Sequence, residues 1–393
     1  MPPAQRSIFS ILVILSITQL MGWGTISLPA VLGEQFARDL GISLPGAFAG
    51  TAVMLVVSGF ISPLLSSVFV RYGARLVMSA GSLAAVPGFF LLSMASGPLG
   101  YYAGWVVLGV AGACMLSVAT YILLNEIEGP RAKRSIGALM LVTGLSSSIF
   151  WPITAGLSGM FGWRTTVVIY GVSMLLICFP LHYYGLPLRR APVKIAGTME
   201  PPTRPVSRLP FVLLTCVIML NGFVSWGISA IIIQLLKSMG VDDFWALWIG
   251  SLLGVLQAFA RVLDFFGGAR WDGLATGLVA GIVLPLSFLS LIVFGPTDWS
   301  IAVFILLYGT ATGAMAVARA TMPLVFYDRE AFARVSSQIA LPANLAGAAA
   351  PPALAAILTS MGSNAVLLLA LSFTLIALGA LLALVRTRRA MQV

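Results

Sequence analysis

The feature that most restricts this chain is a series of apolar runs, each long enough to cross a lipid bilayer as a helix. A bilayer core takes about 20 apolar residues per helix. Runs of that length stand at approximately 8–32, 46–70, 76–96, 99–124, 135–160 and 164–187, then at 209–236, 244–267, 273–294, 299–325, 334–359 and 364–385. They predict an all-α membrane protein with twelve transmembrane helices. Composition agrees: 9% of residues are charged and 59% hydrophobic, whereas a soluble domain carries about 25% charged residues. The first run follows Arg6 as a secretory signal would. It continues through Gly22-Trp23-Gly24 to Leu32 without an A-x-A cleavage site, so it reads as an uncleaved first span.

The formal net charge of +10 would suggest nucleic acid in a soluble protein. Here the basic residues lie in short segments between apolar runs, where they set orientation instead. With the N-terminus in the cytoplasm, the inner segments hold Arg6, Arg71, Arg75, Arg131, Lys133, Arg134, Arg189, Arg190, Lys194, Arg204, Arg208, Arg270, Arg329, Arg334, Arg386, Arg388 and Arg389. The outer loops hold Arg38, Arg164 and Lys237. That asymmetry places both termini inside, and it excludes a nucleic-acid partner. The long polar interval 188–208 reads as a cytoplasmic linker between a bundle at 1–187 and a second at 209–393.

Catalytic chemistry has little to work with. Cys114, Cys178 and Cys216 lie far apart inside apolar runs, His182 is the single histidine, and no HExxH or CxxC spacing is present. The cysteines read as small core residues, or as a thiolate site for a soft metal or metalloid. His182 reads as a packing residue, with a proton relay as the alternative. Neither a cofactor nor an enzyme is expected.

The two halves repeat one another. Trp23-Gly24-Thr25-Ile26-Ser27 recurs as Trp226-Gly227-Ile228-Ser229, Pro152 as Pro352, Arg134 as Arg334 and Gly162 as Gly362. The offset stays near 200 throughout, which describes a parallel duplication. The loop after span two reads Val70-Arg71-Tyr72-Gly73-Ala74-Arg75, and Gly162-Trp163-Arg164 joins spans five and six. On the span count, the duplication and these two motifs, the chain resembles the major facilitator superfamily over essentially its whole length. In that family the first loop carries an acid where this chain has Val70. The resemblance implies a cytoplasmic gate at Arg71 and Arg75. Without the acid they meet Glu126 or Glu128, or serve as anchors for the helix ends. The glycine-proline pair of the family's antiporter signature is replaced by Trp151-Pro152.

Charges inside apolar runs need an account, because each costs about 2.5–3.5 kcal/mol at the centre of a bilayer. Arg261 lies nine residues before Arg270, roughly 13–14 Å along a helix axis. Arg319 lies nine residues before Asp328, at a similar depth. Asp264 follows Arg261 at i+3 and shares its face. Arg261 either pairs with Asp264 or faces a water-filled cavity, where its planar fork suits a carboxylate. Asp264 is then a counter-ion or a carrier of a coupling proton. Two cations against one acid favour an anionic solute. An arginine in span eight with a nearby aspartate resembles the monocarboxylate-transporter branch and its oxalate–formate exchanger relatives, which implies a substrate carboxylate on Arg261. The acid follows the arginine here rather than preceding it. The exchanger's second cation, in span eleven, is replaced by Gln338 and Asn344.

Spans one, four, seven and ten line the pathway in this fold, so their polar residues complete the expected substrate site. These are Trp23, Tyr121, Asn125, Asn221, Trp226 and Tyr308, with Gln19, Thr25, Gln234 and Thr312 beside them, and Gln257 one turn from Arg261. The leading expectation is a monomeric secondary carrier for a small organic anion, proton-coupled or exchanging, with Arg261 as principal contact. Efflux of a drug-like or metalloid solute, and a membrane sensor without transport, are the alternatives.

Overall fold

The computed structural model describes residues 7–128, 132–187, 208–267, 272–327 and 329–392. Apart from Arg208, the expected linker lies outside the described residues, as do Arg6, Arg131, Arg270, Asp328 and the side chains of Val70, Asn125, Lys133, Arg134, Arg329 and Arg334. All regular structure among the described residues is helical. The chain divides into two compact units, Met1–Ala196 and Gly197–Val393.

The first unit runs α1 (Ile8–Ile26), α2 (Leu28–Leu40), α3 (Leu44–Met94), α4 (Pro98–Met115), α5 (Ser117–Glu128), α6 (Ala132–Thr143) and α7 (Ser146–Ser173). A π-helical turn at Met174–Cys178 and α8 (Phe179–Gly185) complete it. α3 packs along α4, and one core of the unit is built around Phe36, Phe89, Tyr101 and Trp105, all fully buried. The second unit runs α9 (Arg208–Ser238), α10 (Asp243–Gly267), α11 (Gly273–Phe294), α12 (Asp298–Thr321), α13 (Pro323–Phe326), α14 (Arg329–Met361) and α15 (Ser363–Gln392). There α11 packs on α12 and α9 on α14, and Leu214, Val217, Met322 and Leu381 lie in the core.

Among the described residues, eleven segments are long and apolar enough to cross a membrane, against twelve apolar runs in the sequence. The difference lies in Ser135–Gly185, a single stretch of 51 residues where the sequence has two runs. That stretch reverses at Gly162, whose φ of 78° and ψ of 160° are not helical. Gly362, its partner in the repeat, has φ 82°. A β-carbon is disfavoured at such angles, so the recurring glycine marks the same corner in both units.

The corner after Gly162 is held by polar contacts. Trp163 donates its indole N–H to Asp39 at 2.7 Å, and Arg164 donates to the Ala95 carbonyl at 2.8 Å. The Arg164 guanidinium also lies 4.1 Å from the Trp163 ring centroid. The ends of α2 and α3 are thereby tied to the corner in α7, which accounts for the Gly-Trp-Arg motif as structure. In the second unit, Asp272 caps α11 by accepting from the Ala275 N–H at 2.8 Å, and it pairs with Arg388 of α15. Burial alone would raise the Asp272 carboxyl. The Ala275 and Leu274 N–H groups and Arg388 outweigh it and hold the group below its ordinary range.

Candidate functional site

In the second unit, α10 and α12 come together at Gly313. A β-carbon there would lie 2.4 Å from the Gln257 carbonyl oxygen, so only glycine allows the two backbones to touch. The contact brings Gln257 to Thr312, with a 3.3 Å hydrogen bond from the amide to the hydroxyl. One turn away Tyr308 is fully buried and stacks on Phe304 at 5.5 Å. Its hydroxyl donates to the Ser225 carbonyl at 3.0 Å and lies 3.1 Å from the Ser229 hydroxyl. Tyr308 is thus the strut that sets α12 against α9.

That strut leaves a small cavity between the same two helices. It has a volume of about 20 Å³ and is lined by Asn221, Gly222, Ser225, Thr312, Met315 and Arg319, among others. The Arg319 guanidinium reaches the α9 backbone: a β-carbon on Gly222 would lie 3.7 Å from its Nη1. Arg319 makes no hydrogen bond or ion pair with the described residues. Asn221 is 2% exposed; its amide donates to the Val217 carbonyl at 3.1 Å, and its Oδ1 has no partner among the described residues. A guanidinium with no acceptor and a buried carbonyl oxygen with no donor among the described residues therefore line one cavity.

Arg261 and Asp264 are both half-buried on α10. Arg261 is engaged within the protein. Asp264 accepts a 2.6 Å hydrogen bond from Thr276 on α11, so its carboxylate turns to the neighbouring helix. It borders a larger cleft of about 410 Å³ with Asp272, Thr276, Thr321 and Arg388. Size does not make that cleft the better site, because its charges already have partners. Arg319 stands in the last turn of α12, which ends at Thr321 before the short α13. It is therefore nearer a helix end than the count to Asp328 implies. Trp226 is half-exposed beside Gly347, and Gln338 and Asn344 of α14 are exposed.

In the first unit Gln19 and Trp23 meet a break between α4 and α5. Leu116 has φ −82° and ψ −159°, which frees the Met115 carbonyl. Gln19 satisfies it, donating at 2.7 Å, and Trp23 donates to the Ser117 hydroxyl at 3.2 Å. Tyr121 is half-buried on α5; the Asn125 side chain lies outside the described residues. Among the gate residues, Arg71 is exposed with its guanidinium 5.2 Å from the Tyr72 ring centroid, and Glu126 is exposed. Arg75 lies 4.9 Å from the Tyr183 ring centroid of α8, a cation–π contact that anchors the α3 helix on α8. His182 is buried, with Nδ1 2.8 Å from the Ser82 hydroxyl. Neither the Leu116 break nor the Ser82–His182 contact was legible in the sequence. Position 116 carries neither the glycine nor the proline that signals a break.

These features, two helical units with polar side chains gathered on broken or closely packed spans, belong to membrane carriers. Residues 12–267 match the family model of the Major Facilitator Superfamily. The chain belongs to that superfamily and is a multi-pass integral membrane protein. Among curated proteins it is similar to Monocarboxylate transporter 11 of Homo sapiens, 27% identical over 48% of this chain and 42% of that protein. Monocarboxylate transporter 4 of Mus musculus is 26% identical over 59% of this chain and 51% of its own. The matched regions therefore span about half the length of these relatives. Among solved structures, a bacterial homologue of the human lysosomal transporter Spinster aligns with a TM-score of 0.73 at 14% identity, covering 96% of each chain. The nucleoside transporter NupG aligns with a TM-score of 0.75 at 15% identity, over 95% of this chain and 98% of that one. These two likenesses establish the fold alone.

Proposed function

We propose that this protein is a secondary carrier for a small organic anion, a carboxylate, with Arg319 as the principal anion contact. The observation that carries the reading is Arg319 itself. A guanidinium in an apolar helix, lining a cavity without an acceptor among the described residues, carries a desolvation cost that a bound anion offsets. Its fork suits the two oxygens of a carboxylate. The names of the curated relatives point to the same solute class. Arg261 supplies the second cation and Asp264 its coupling proton or counter-charge. Trp23, Tyr121, Asn125, Asn221, Trp226, Gln257 and Tyr308 line or support the pathway, and Arg71, Arg75 and Glu126 serve its cytoplasmic end.

Counting Ser135–Gly185 as two spans gives twelve, six to each half, with 1–187 and 209–393 as the bundles, 188–208 as the linker and both termini cytoplasmic. Transport proceeds by alternating access in a monomer, by proton coupling or exchange, with the bilayer and the solute as partners and no cofactor. The test is ligand-induced thermal stabilisation of the purified protein against short carboxylates, cationic drugs and arsenite. Carboxylates should raise the Tm of the wild type and leave Arg319→Gln unchanged, with a reduced rise in Arg261→Lys. Stabilisation by arsenite or a cationic drug instead, equal in all three proteins, would move the function to efflux.

A further inference from the structure

We infer that Asn221 is a specificity-determining residue, which selects carboxylates bearing a hydrogen-bond donor on the carbon next to the carboxyl group. The inference rests on the carboxylate reading of Arg319 and adds a second requirement to it.

A primary amide offers two donors on nitrogen and acceptor sites on oxygen. The Val217 carbonyl can only accept, and it lies 3.1 Å from the Asn221 nitrogen. That contact fixes which way the amide faces and leaves Oδ1 as the unused group. Oδ1 is buried without a partner among the described residues, and Asn221 is 2% exposed. Leaving such an acceptor unsatisfied costs about 1–3 kcal/mol, so the site favours an occupant that donates to it.

The cavity limits what that occupant can be. Its volume of about 20 Å³ holds one water, which needs roughly 10–15 Å³ by the same measure. One hydroxyl or ammonium group fits equally well. Arg319, which presents only donors, lines the same space, and the nearby Gly222 adds no side chain to fill it. Because Arg319 and Asn221 line one cavity, a carboxylate on Arg319 that bears a donor on its adjoining carbon can set that donor against Asn221 in place of a water. A carboxylate without the donor leaves that water in place or leaves Oδ1 unsatisfied. Ser225 and Thr312 line the cavity too, but their hydroxyls can rotate to donate or accept. They do not impose a donor on the ligand as the amide oxygen does.

The experiment is equilibrium binding of acetate, fluoroacetate and glycolate to the purified full-length protein, wild type beside Asn221→Leu. The three ligands share a carboxylate; fluorine resembles hydroxyl in size and cannot donate. Glycolate should bind the wild type roughly three- to tenfold more tightly than acetate or fluoroacetate, as one neutral hydrogen bond allows. Asn221→Leu should bring the three within twofold of one another, whatever it does to their common affinity. Equal binding of all three to the wild type would overturn the inference and leave only a bound water at Asn221. A glycolate preference that survives in Asn221→Leu would overturn it as well. Should Asn221→Leu fail to fold, the ligand series on the wild type decides alone. If no carboxylate binds the wild type, the carrier reading itself fails, which equal binding would not imply.

Discussion

Arg261 and Arg319 stand on neighbouring helices of one unit, and the sequence marks both for the same reason: each is a cation inside an apolar run. What separates them is tertiary. Arg261 is engaged within the protein, whereas Arg319 has no hydrogen bond or ion pair among the described residues. Spacing along one helix put Asp264 beside Arg261, but Thr276 from the next helix takes the carboxylate at 2.6 Å. No one-dimensional pattern carries that competition. Tyr308 is a similar case. It was legible as a polar residue of span ten, but not as a strut whose hydroxyl is already used by α9. At this scale Gly313 gives a direct test of how the site is built. Gly313→Ala would set a β-carbon 2.4 Å from the Gln257 carbonyl oxygen, and the helices must separate. The expected loss is about 1–3 kcal/mol, read as a lower Tm with weakened carboxylate binding. An unchanged Tm would mean that α10 and α12 do not touch there.

Helices were the most legible elements, because an apolar run of bilayer length has few other solutions. Their ends were less so. The first run was expected to stop near residue 32, yet α2 continues to Leu40 and closes on Gly41 at φ 62°. The corner at Gly162 could be read because Gly362 repeats it, while the break at Leu116 has no such signature. Asp272 offers a test at the same scale, since it joins the start of α11 to the end of α15. Its carboxyl is held below the ordinary range, so its stabilising contribution is present above the usual carboxylate pKa of about 3.9. That contribution is lost as pH falls through the lower value in the folded protein. Asp272→Asn keeps an oxygen for the cap and loses the charge. It should lower the Tm at pH 7 by the modest amount of a partly exposed pair, less than about 1 kcal/mol. The gap to the wild type should close in acid. A gap independent of pH would assign the effect to the cap alone.

At the scale of the whole molecule, family membership meets a cation, Arg319, that has no hydrogen bond or ion pair among the described residues. The superfamily match shows the family, and the proposed anion contact at Arg319 would give its solute a sign. A membrane sensor that kept the fold would bind the same anion and move none. Uptake by reconstituted proteoliposomes separates the two readings, and it tests the central claim most directly. Vesicles preloaded with unlabelled glycolate should accumulate labelled glycolate from outside by exchange, and vesicles carrying Arg319→Gln should not. Binding of glycolate without any accumulation by the wild type would contradict the account and leave a receptor on a carrier fold.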